Sequence, residues 1–174
     1  MFERHLVLVG LMGAGKTTVG RRCAELLDRA FLDTDELIVA AAGLSFDELW
    51  AVEGEQGFRA RERVAVADAV ASPVPLVISC GGGAVLDPDN RRALRAAGIV
   101  VWLRATSEAL ARRLTGDDTR PLLAGGDRTA TLERLATVRA PAYEAAAHAS
   151  VDTAGRTIDE VADAVLEEFA RCAA

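Results

Sequence analysis

Residues 10–17 carry the residue types of a phosphate-binding loop. Their letters, G-L-M-G-A-G-K-T, fit the pattern G-x-x-x-x-G-K-[ST]. The apolar run at 6–9 before them is typical of a buried strand, and residues 16–27 after them have helical spacing. In a strand–loop–helix context, backbone N–H groups and a helix N-terminus converge on phosphate oxygens. The stretch therefore predicts a nucleotide site.

Two residues of this loop would act through their side chains. Lys16 is the only lysine in a chain that has 20 basic residues. A compact ammonium suits the β- and γ-phosphates, and the broad guanidinium of arginine cannot replace it there. The hydroxyl of Thr17 would bind Mg²⁺.

Common users of such loops can be excluded from the same sequence. A GTPase needs an N-K-x-D motif, which cannot occur because no second lysine exists. Motors and clamp ATPases place an acidic residue after the strand beside the loop. Here the strand at 76–79 runs into C-G-G-G instead. The acid on the metal side must come from another strand.

Asp33 and Asp35, at the end of an apolar segment at 30–32, can supply it. We assign Asp33 to Mg²⁺ together with Thr17. We assign Asp35 to the proton of the attacking hydroxyl, which it would take or orient. The structural alternative is that Asp33 ends a strand and Asp35 N-caps the next helix, and Asp35 could do both.

Arginines and glycines could hold an acceptor. Arg59 has Glu62 three positions further along its helix, and Arg139 lies two residues before Pro141, where we expect the helix at about 129–147 to break. Such a pair could clamp a carboxylate, although for any single arginine a solvated helix face is the commoner explanation. Arg120, in a glycine-rich segment, is typical of a mobile residue that contacts phosphate.

The glycines at 81–83 would let backbone N–H groups approach a small ligand, or could form a tight turn.

Apolar runs alternate with helical patterns along the chain and predict five strands, at 6–9, 30–32, 76–79, 99–103 and 149–152. This order implies a parallel sheet with helices on both faces, and ligands bind beyond the carboxyl ends of such strands. The length of 174 residues suits one domain, 1–174.

Composition excludes several classes of function. With a net charge of −6 and no basic run, a nucleic-acid surface is not expected. No apolar run approaches the roughly 18 residues that span a membrane. The chain enters its first strand after four residues, which leaves no room for a signal peptide. Three scattered cysteines suit reduced thiols, so we expect a cytoplasmic protein.

Taken together, the motifs resemble those of the shikimate kinase family. The loop is followed by D-T-D at 33–35, F-R at 58–59, G-G-G at 81–83 and R-P-L-L at 120–123. The resemblance covers nearly the whole chain. It implies a three-layer α/β/α fold like that of nucleoside monophosphate kinases, with a five-stranded parallel sheet, a lid at about 113–128 and substrate-binding helices at about 35–62. It also implies a monomer that uses ATP and Mg²⁺ to phosphorylate the 3-hydroxyl of shikimate, on the route to chorismate and the aromatic amino acids.

The resemblance also implies roles for single residues. Those binding ATP would be Gly13, Ala14, Gly15, Lys16, Thr17, Thr18 and Arg120, with Arg113 and Arg156 beside the adenine. Those binding shikimate would be Asp35, Arg59, Gly81, Gly82 and Arg139. Lys16, Asp35 and Arg120 would be catalytic, and Thr17 and Asp33 would hold the metal.

Two alternatives stay open at this point. One is a kinase of the same fold that acts on another small molecule such as gluconate, which the glycines and the arginine pair disfavour. The other is a protein that binds ATP without catalysis, which would have no need of Asp35 as a base.

Overall fold

A computed structural model of the chain describes residues 3–114 and 127–174. Within these residues the strands are β1 (His5–Val9), β2 (Phe31–Asp33), β3 (Val77–Ser79), β4 (Gly98–Arg104) and β5 (Ala149–Asp152). The helices are α1 (Lys16–Leu27), α2 (Thr34–Ala42), α3 (Phe46–Val70), α4 (Pro88–Ala97), α5 (Ser107–Arg113), α6 (Arg128–Ala146) and α7 (Ile158–Ala173), with a 3₁₀ turn at Ala84–Leu86. None of these helices is long and apolar enough to cross a membrane.

The five strands form one parallel sheet in the order β2-β3-β1-β4-β5. Helices α1 and α7 pack together on one face, and α3, α4 and α6 contact one another in series on the other. The central strand β1 is buried along its whole length, as expected for a strand covered on both faces. The predicted three-layer α/β/α class with five strands is confirmed.

Local signals set most of the helix ends. Ser45 and Thr157 each form the capping box expected from their sequences, and Asp87 caps α4 just before Pro88. Gly43 ends α2 in the left-handed conformation. At Gly54, φ is 66° and ψ is −174°, which divides α3 into a short and a long part.

The predicted break of α6 near Pro141 is wrong. The helix runs continuously from Arg128 to Ala146 with Pro141 inside it. A proline removes its own N–H from the ladder and its ring crowds the carbonyl four residues earlier, but tertiary contacts can outweigh this cost. Tyr143 and Ala146 lie fully buried after the proline, so packing against the core holds the last turns in place.

Candidate active site

The carboxyl ends of β1, β2 and β3 meet at one edge of the sheet and border a cleft of about 480 Å³. The register places the end of β2 beside the end of β3, since Asp33 pairs with Ser79. Eleven of the predicted site residues line this cleft: Gly13, Gly15, Lys16, Thr17, Thr18, Asp33, Asp35, Arg59, Gly82, Arg113 and Arg139.

The loop at 10–17 forms one wall of the cleft. Gly13 and Gly15 have φ of 79° and 92°, a backbone conformation that favours glycine, and Gly15 directly precedes the first turn of α1. Lys16 begins α1, and its Nζ donates to the carbonyl of Leu11 in the same loop at 3.0 Å. The N-terminus of α1 and the Lys16 ammonium therefore face the same space, an arrangement suited to phosphates.

Asp33 uses its two carboxylate oxygens for two purposes. Oδ2 accepts from the Thr17 hydroxyl at 2.8 Å. Oδ1 accepts from the backbone N–H groups of Asp35 at 3.0 Å and Glu36 at 3.4 Å. Asp33 is thus the N-cap of α2, and the alternative in which Asp35 caps the helix is wrong. The helix begins two residues earlier than that alternative required, and Asp35 lies in its first turn with its side chain on the cleft.

Thr17 and Asp33 together offer a hydroxyl and a carboxylate in direct contact at the edge of the cleft. Both are hard oxygen donors, which is the chemistry that Mg²⁺ prefers. The donor set of this corner therefore fits a magnesium ion bound beside the phosphates.

Opposite the loop, Asp35 and Glu62 approach the backbone of Gly81. A Cβ at Gly81 would lie 2.5 Å from Asp35 Oδ1 and 2.9 Å from Glu62 Oε1. The Gly81 N–H donates to the hydroxyl of Thr34 at 3.0 Å, which ties the end of β3 to the start of α2. A side chain at 81 would have to displace these two carboxylates, so the glycine leaves the space that they occupy.

Arg59 is held by acidic residues of its own helix. Its Nη1 donates to Glu62 Oε2 at 2.7 Å, and its Nη2 contacts the exposed Glu55 at 3.4 Å. Glu62 is 1% exposed, and burial raises the pKa of its carboxyl while the Arg59 guanidinium opposes that shift. A Cβ at Gly83 would overlap the Arg59 guanidinium, so the third glycine leaves the space that this arginine occupies.

Arg139 reaches the cleft from α6. It is 5% exposed, and its Nη1 donates to the carbonyl of Gly82 at 3.1 Å. The hydroxyl of Tyr143, one turn further along α6, donates to the same carbonyl at 2.5 Å. Arg59 and Arg139 therefore border one cleft from two different helices, which is the arrangement that clamping a carboxylate requires.

Three aromatic rings close the acceptor side of the cleft. Phe46, Trp50 and Phe58 contact one another with ring centroids 4.8 to 5.7 Å apart, and all three line the cleft. Phe58 is fully buried, whereas Phe46 and Trp50 are partly exposed. They serve both as a small core under α2 and α3 and as an apolar wall for a ring-shaped ligand.

Arg113 lies at the other end of the loop. Its Nη1 donates to the Gly13 carbonyl at 3.2 Å and to Thr153 Oγ1 at 2.9 Å, and its Nη2 donates to the Thr153 carbonyl at 2.9 Å. It thereby joins the loop to the segment after β5. Arg156 is exposed in that segment and does not line the cleft.

Three more predicted site residues are not among the eleven named above as lining the cleft. Ala14 is buried and Gly81 lies behind Asp35, so neither lines the cleft directly. Arg120 lies outside the described residues, as does most of the predicted lid. Leu114 and Arg128 lie on either side of the residues that are not described, and the Arg128 guanidinium donates to the Leu114 carbonyl at 2.8 Å.

Sequence reasoning missed three residues that position the site: Thr34, Tyr143 and Thr153. Thr34 could have been noticed as the middle residue of D-T-D, and Tyr143 follows Arg139 by four positions, which places both on one helix face. Thr153 had no signal, because its contact with Arg113 joins segments 40 positions apart.

Comparison with known proteins decides the family. The family model described as shikimate kinase matches residues 12–170. The chain belongs to the shikimate kinase family. A shikimate kinase of Symbiobacterium thermophilum is 48% identical over 167 residues and covers 95% of both chains. One of Dechloromonas aromatica is 43% identical over 169 residues, which is 97% of this chain and 92% of the relative.

Solved structures agree with this membership. Shikimate kinase from Acinetobacter baumannii, solved in complex with shikimate, is 38% identical and superposes with a TM-score of 0.94. The match covers 98% of this chain and 96% of that one. The cleft, with a phosphate loop on one side and paired arginines on the other, is therefore the candidate active site of a kinase.

Proposed function

We propose that the protein transfers the γ-phosphoryl group of ATP to the 3-hydroxyl of shikimate, giving shikimate 3-phosphate and ADP on the route to chorismate. One observation carries the proposal: Asp35, Arg59, Gly82 and Arg139 border the same cleft as the loop that begins α1. A donor site and a site for a carboxylated acceptor with hydroxyl groups are thus adjacent. Family membership and the shikimate-bound relative support the same acceptor.

On the donor side, the backbone N–H groups from Gly13 to Thr18 and the Lys16 ammonium would bind the phosphates. Thr17 and Asp33 would hold Mg²⁺, which when bound offsets the charge of the phosphate oxygens. Arg113 and Arg156 would flank the adenine. Arg120 would contact the phosphates from a lid at about 113–128, and such a lid favours transfer to the acceptor by excluding water.

On the acceptor side, Arg59 and Arg139 would bind the carboxylate of shikimate. The glycine backbone at 81 and 82 would approach its hydroxyl groups, and the aromatic wall would contact its ring. Asp35 would orient the 3-hydroxyl and accept its proton as the phosphoryl group arrives. The helices at about 35–62 would thus form the substrate-binding part of a single domain, 1–174, in a monomeric cytoplasmic enzyme.

An acceptor screen tests the proposal. In a coupled assay we expect ADP release that depends on both shikimate and Mg²⁺, with little release in the presence of gluconate or a nucleoside monophosphate. Shikimate methyl ester, which lacks the carboxylate charge, should require a higher concentration than shikimate because the two arginines lose their partner. Turnover on gluconate or a nucleoside monophosphate without turnover on shikimate would refute the proposal.

A further inference from the structure

Tyr143 is buried behind the cleft, and its hydroxyl contacts the backbone that borders the cleft. The side chain is 1% exposed and does not line the cleft, yet its hydroxyl donates to the Gly82 carbonyl at 2.5 Å. Burial raises the pKa of Tyr143 to about 12, which keeps the hydroxyl protonated as a donor. The residue thus holds the backbone at Gly82 from outside the cleft.

The Tyr143 ring is itself fixed by the central sheet. It stacks on Trp102 of β4 with ring centroids 5.4 Å apart and an angle of 22° between the planes. Because Trp102 belongs to a strand that pairs with both β1 and β5, the ring has a rigid support. The position of the hydroxyl is therefore set by the sheet as well as by α6.

The Gly82 carbonyl also accepts a hydrogen bond from Arg139 Nη1, at 3.1 Å. One backbone oxygen thus connects a cleft-lining guanidinium to a buried phenol on the same helix. The carbonyl of Gly82 and the N–H of Gly83 belong to one planar peptide unit and point in opposite directions. Fixing the oxygen therefore also fixes the direction of the next N–H, in a glycine sequence whose backbone has many accessible conformations.

We propose that Tyr143 is a positioning residue for the acceptor, which sets the Gly82–Gly83 peptide and the Arg139 guanidinium in their binding orientation. This inference rests on the proposed function, since it assigns the acceptor side of the same site. Tyr143 acts only through Gly82 and Arg139. Its loss should therefore weaken acceptor binding and leave the donor side unchanged.

The test is Tyr143→Phe, which removes the hydroxyl and keeps the ring stacked on Trp102. Loss of a buried hydrogen bond that leaves a carbonyl short of a donor should raise KM for shikimate by about tenfold. We expect kcat and KM for ATP to stay within about twofold of the wild-type values, because neither depends on this carbonyl. Calorimetric titration with shikimate alone should show the same weakening.

Asn90→Ala is the matched control. Asn90 is buried, and its Nδ2 donates to the Ala84 carbonyl at 2.9 Å. Ala84 directly follows Gly81–Gly83, and neither Ala84 nor Asn90 lines the cleft. It should lower the thermal midpoint of unfolding without raising KM for shikimate. In an Arg139→Ala background, Tyr143→Phe should have a smaller effect than in the wild type, because both act on one carbonyl.

Three results would overturn the inference: an unchanged KM for shikimate in Tyr143→Phe, an equal rise in KM for ATP, or the same rise in Asn90→Ala. Each assumes that the wild-type enzyme phosphorylates shikimate. If the wild type does not, the proposed function fails, and that failure is visible before any variant is made.

Discussion

The two halves of the cleft are built by different means. The donor half, residues 10–18, is one continuous stretch whose backbone N–H groups and single lysine are proposed to bind the phosphates. The acceptor half consists of Asp35, Arg59, Glu62, Gly81–Gly83 and Arg139, which come from three helices and the segment after β3. A phosphate can be bound by any correctly shaped loop. An asymmetric acceptor requires side chains that several elements aim at one point.

The halves also differ in electrostatic cost. The acceptor half contains an ion pair of the partly exposed Arg59 with the 1% exposed Glu62, and it buries Arg139, which is 5% exposed. Buried charges cost free energy unless they are paired and hydrogen-bonded. In the donor half most of the groups are backbone N–H groups at a helix N-terminus, which are fixed by the fold at no such cost. Variants in the two halves should therefore fail in different ways.

The largest effect is expected in the donor half, from Lys16→Met. Removing the ammonium that we assign to the transferred phosphate should lower kcat by about 10³-fold or more, because that charge would stabilise the transition state most. Lys16→Arg should restore little, since a planar guanidinium does not fit the loop. The measurement is steady-state ADP release. Arg21→Met, which removes an exposed cation of the same helix, should keep near-normal turnover.

The second effect lies where the two halves meet, at Asp35. Asp35→Asn removes the group to which we assign the acceptor proton and should lower kcat by about 10²-fold while ATP still binds. Calorimetry measures the affinity for ATP and the coupled assay measures turnover, so an effect on catalysis can be separated from an effect on nucleotide binding. Asp47→Asn makes the same change at an exposed carboxylate in the first turn of α3, which does not line the cleft, so it is the control and should retain activity. Near-normal turnover of Asp35→Asn would mean that positioning alone drives the transfer.

The third effect belongs to the acceptor half. Arg139→Ala should raise KM for shikimate by roughly 10- to 100-fold, the cost of losing charge-assisted hydrogen bonds to a carboxylate. KM for ATP should change little. Arg134→Ala, on an exposed position of the same helix, should leave both constants unchanged. An effect confined to ATP would assign Arg139 to the donor half instead.

This difference explains how much the sequence could predict. The donor half was readable because its motif, strand and helix are contiguous, and local signals such as the capping boxes fixed most helix ends. The pairing of Arg59 with Glu62 was also local, at three positions on one helix. Contacts between distant segments, such as Tyr143 with Gly82 or Arg113 with Thr153, were not. The same limit explains Pro141, where distant packing overrode the local tendency of proline to break a helix.

The smallest effect concerns stability and the buried charge of the acceptor half. The pKa of Glu62 is raised above its ordinary value of 4.5, chiefly by burial, so the folded protein binds this proton more tightly than the unfolded chain. The contribution of Glu62 to stability is therefore fully present below pH 4.5 and is lost as the pH rises through the raised pKa. Glu62→Gln does not titrate and keeps an oxygen that can accept from Arg59.

Urea unfolding at several pH values, from 4.5 to about 7.5, should reveal this difference. The free energy of unfolding of the wild type should fall relative to that of Glu62→Gln as pH rises, by at most about 1.4 kcal/mol per pH unit. Glu55→Gln removes the exposed partner of the same arginine and should follow the wild type at every pH. Parallel curves for the wild type and Glu62→Gln would show that the charge of Glu62 is fully compensated by Arg59. In that case the buried charge of the acceptor half would cost no more free energy than the charge of the donor half.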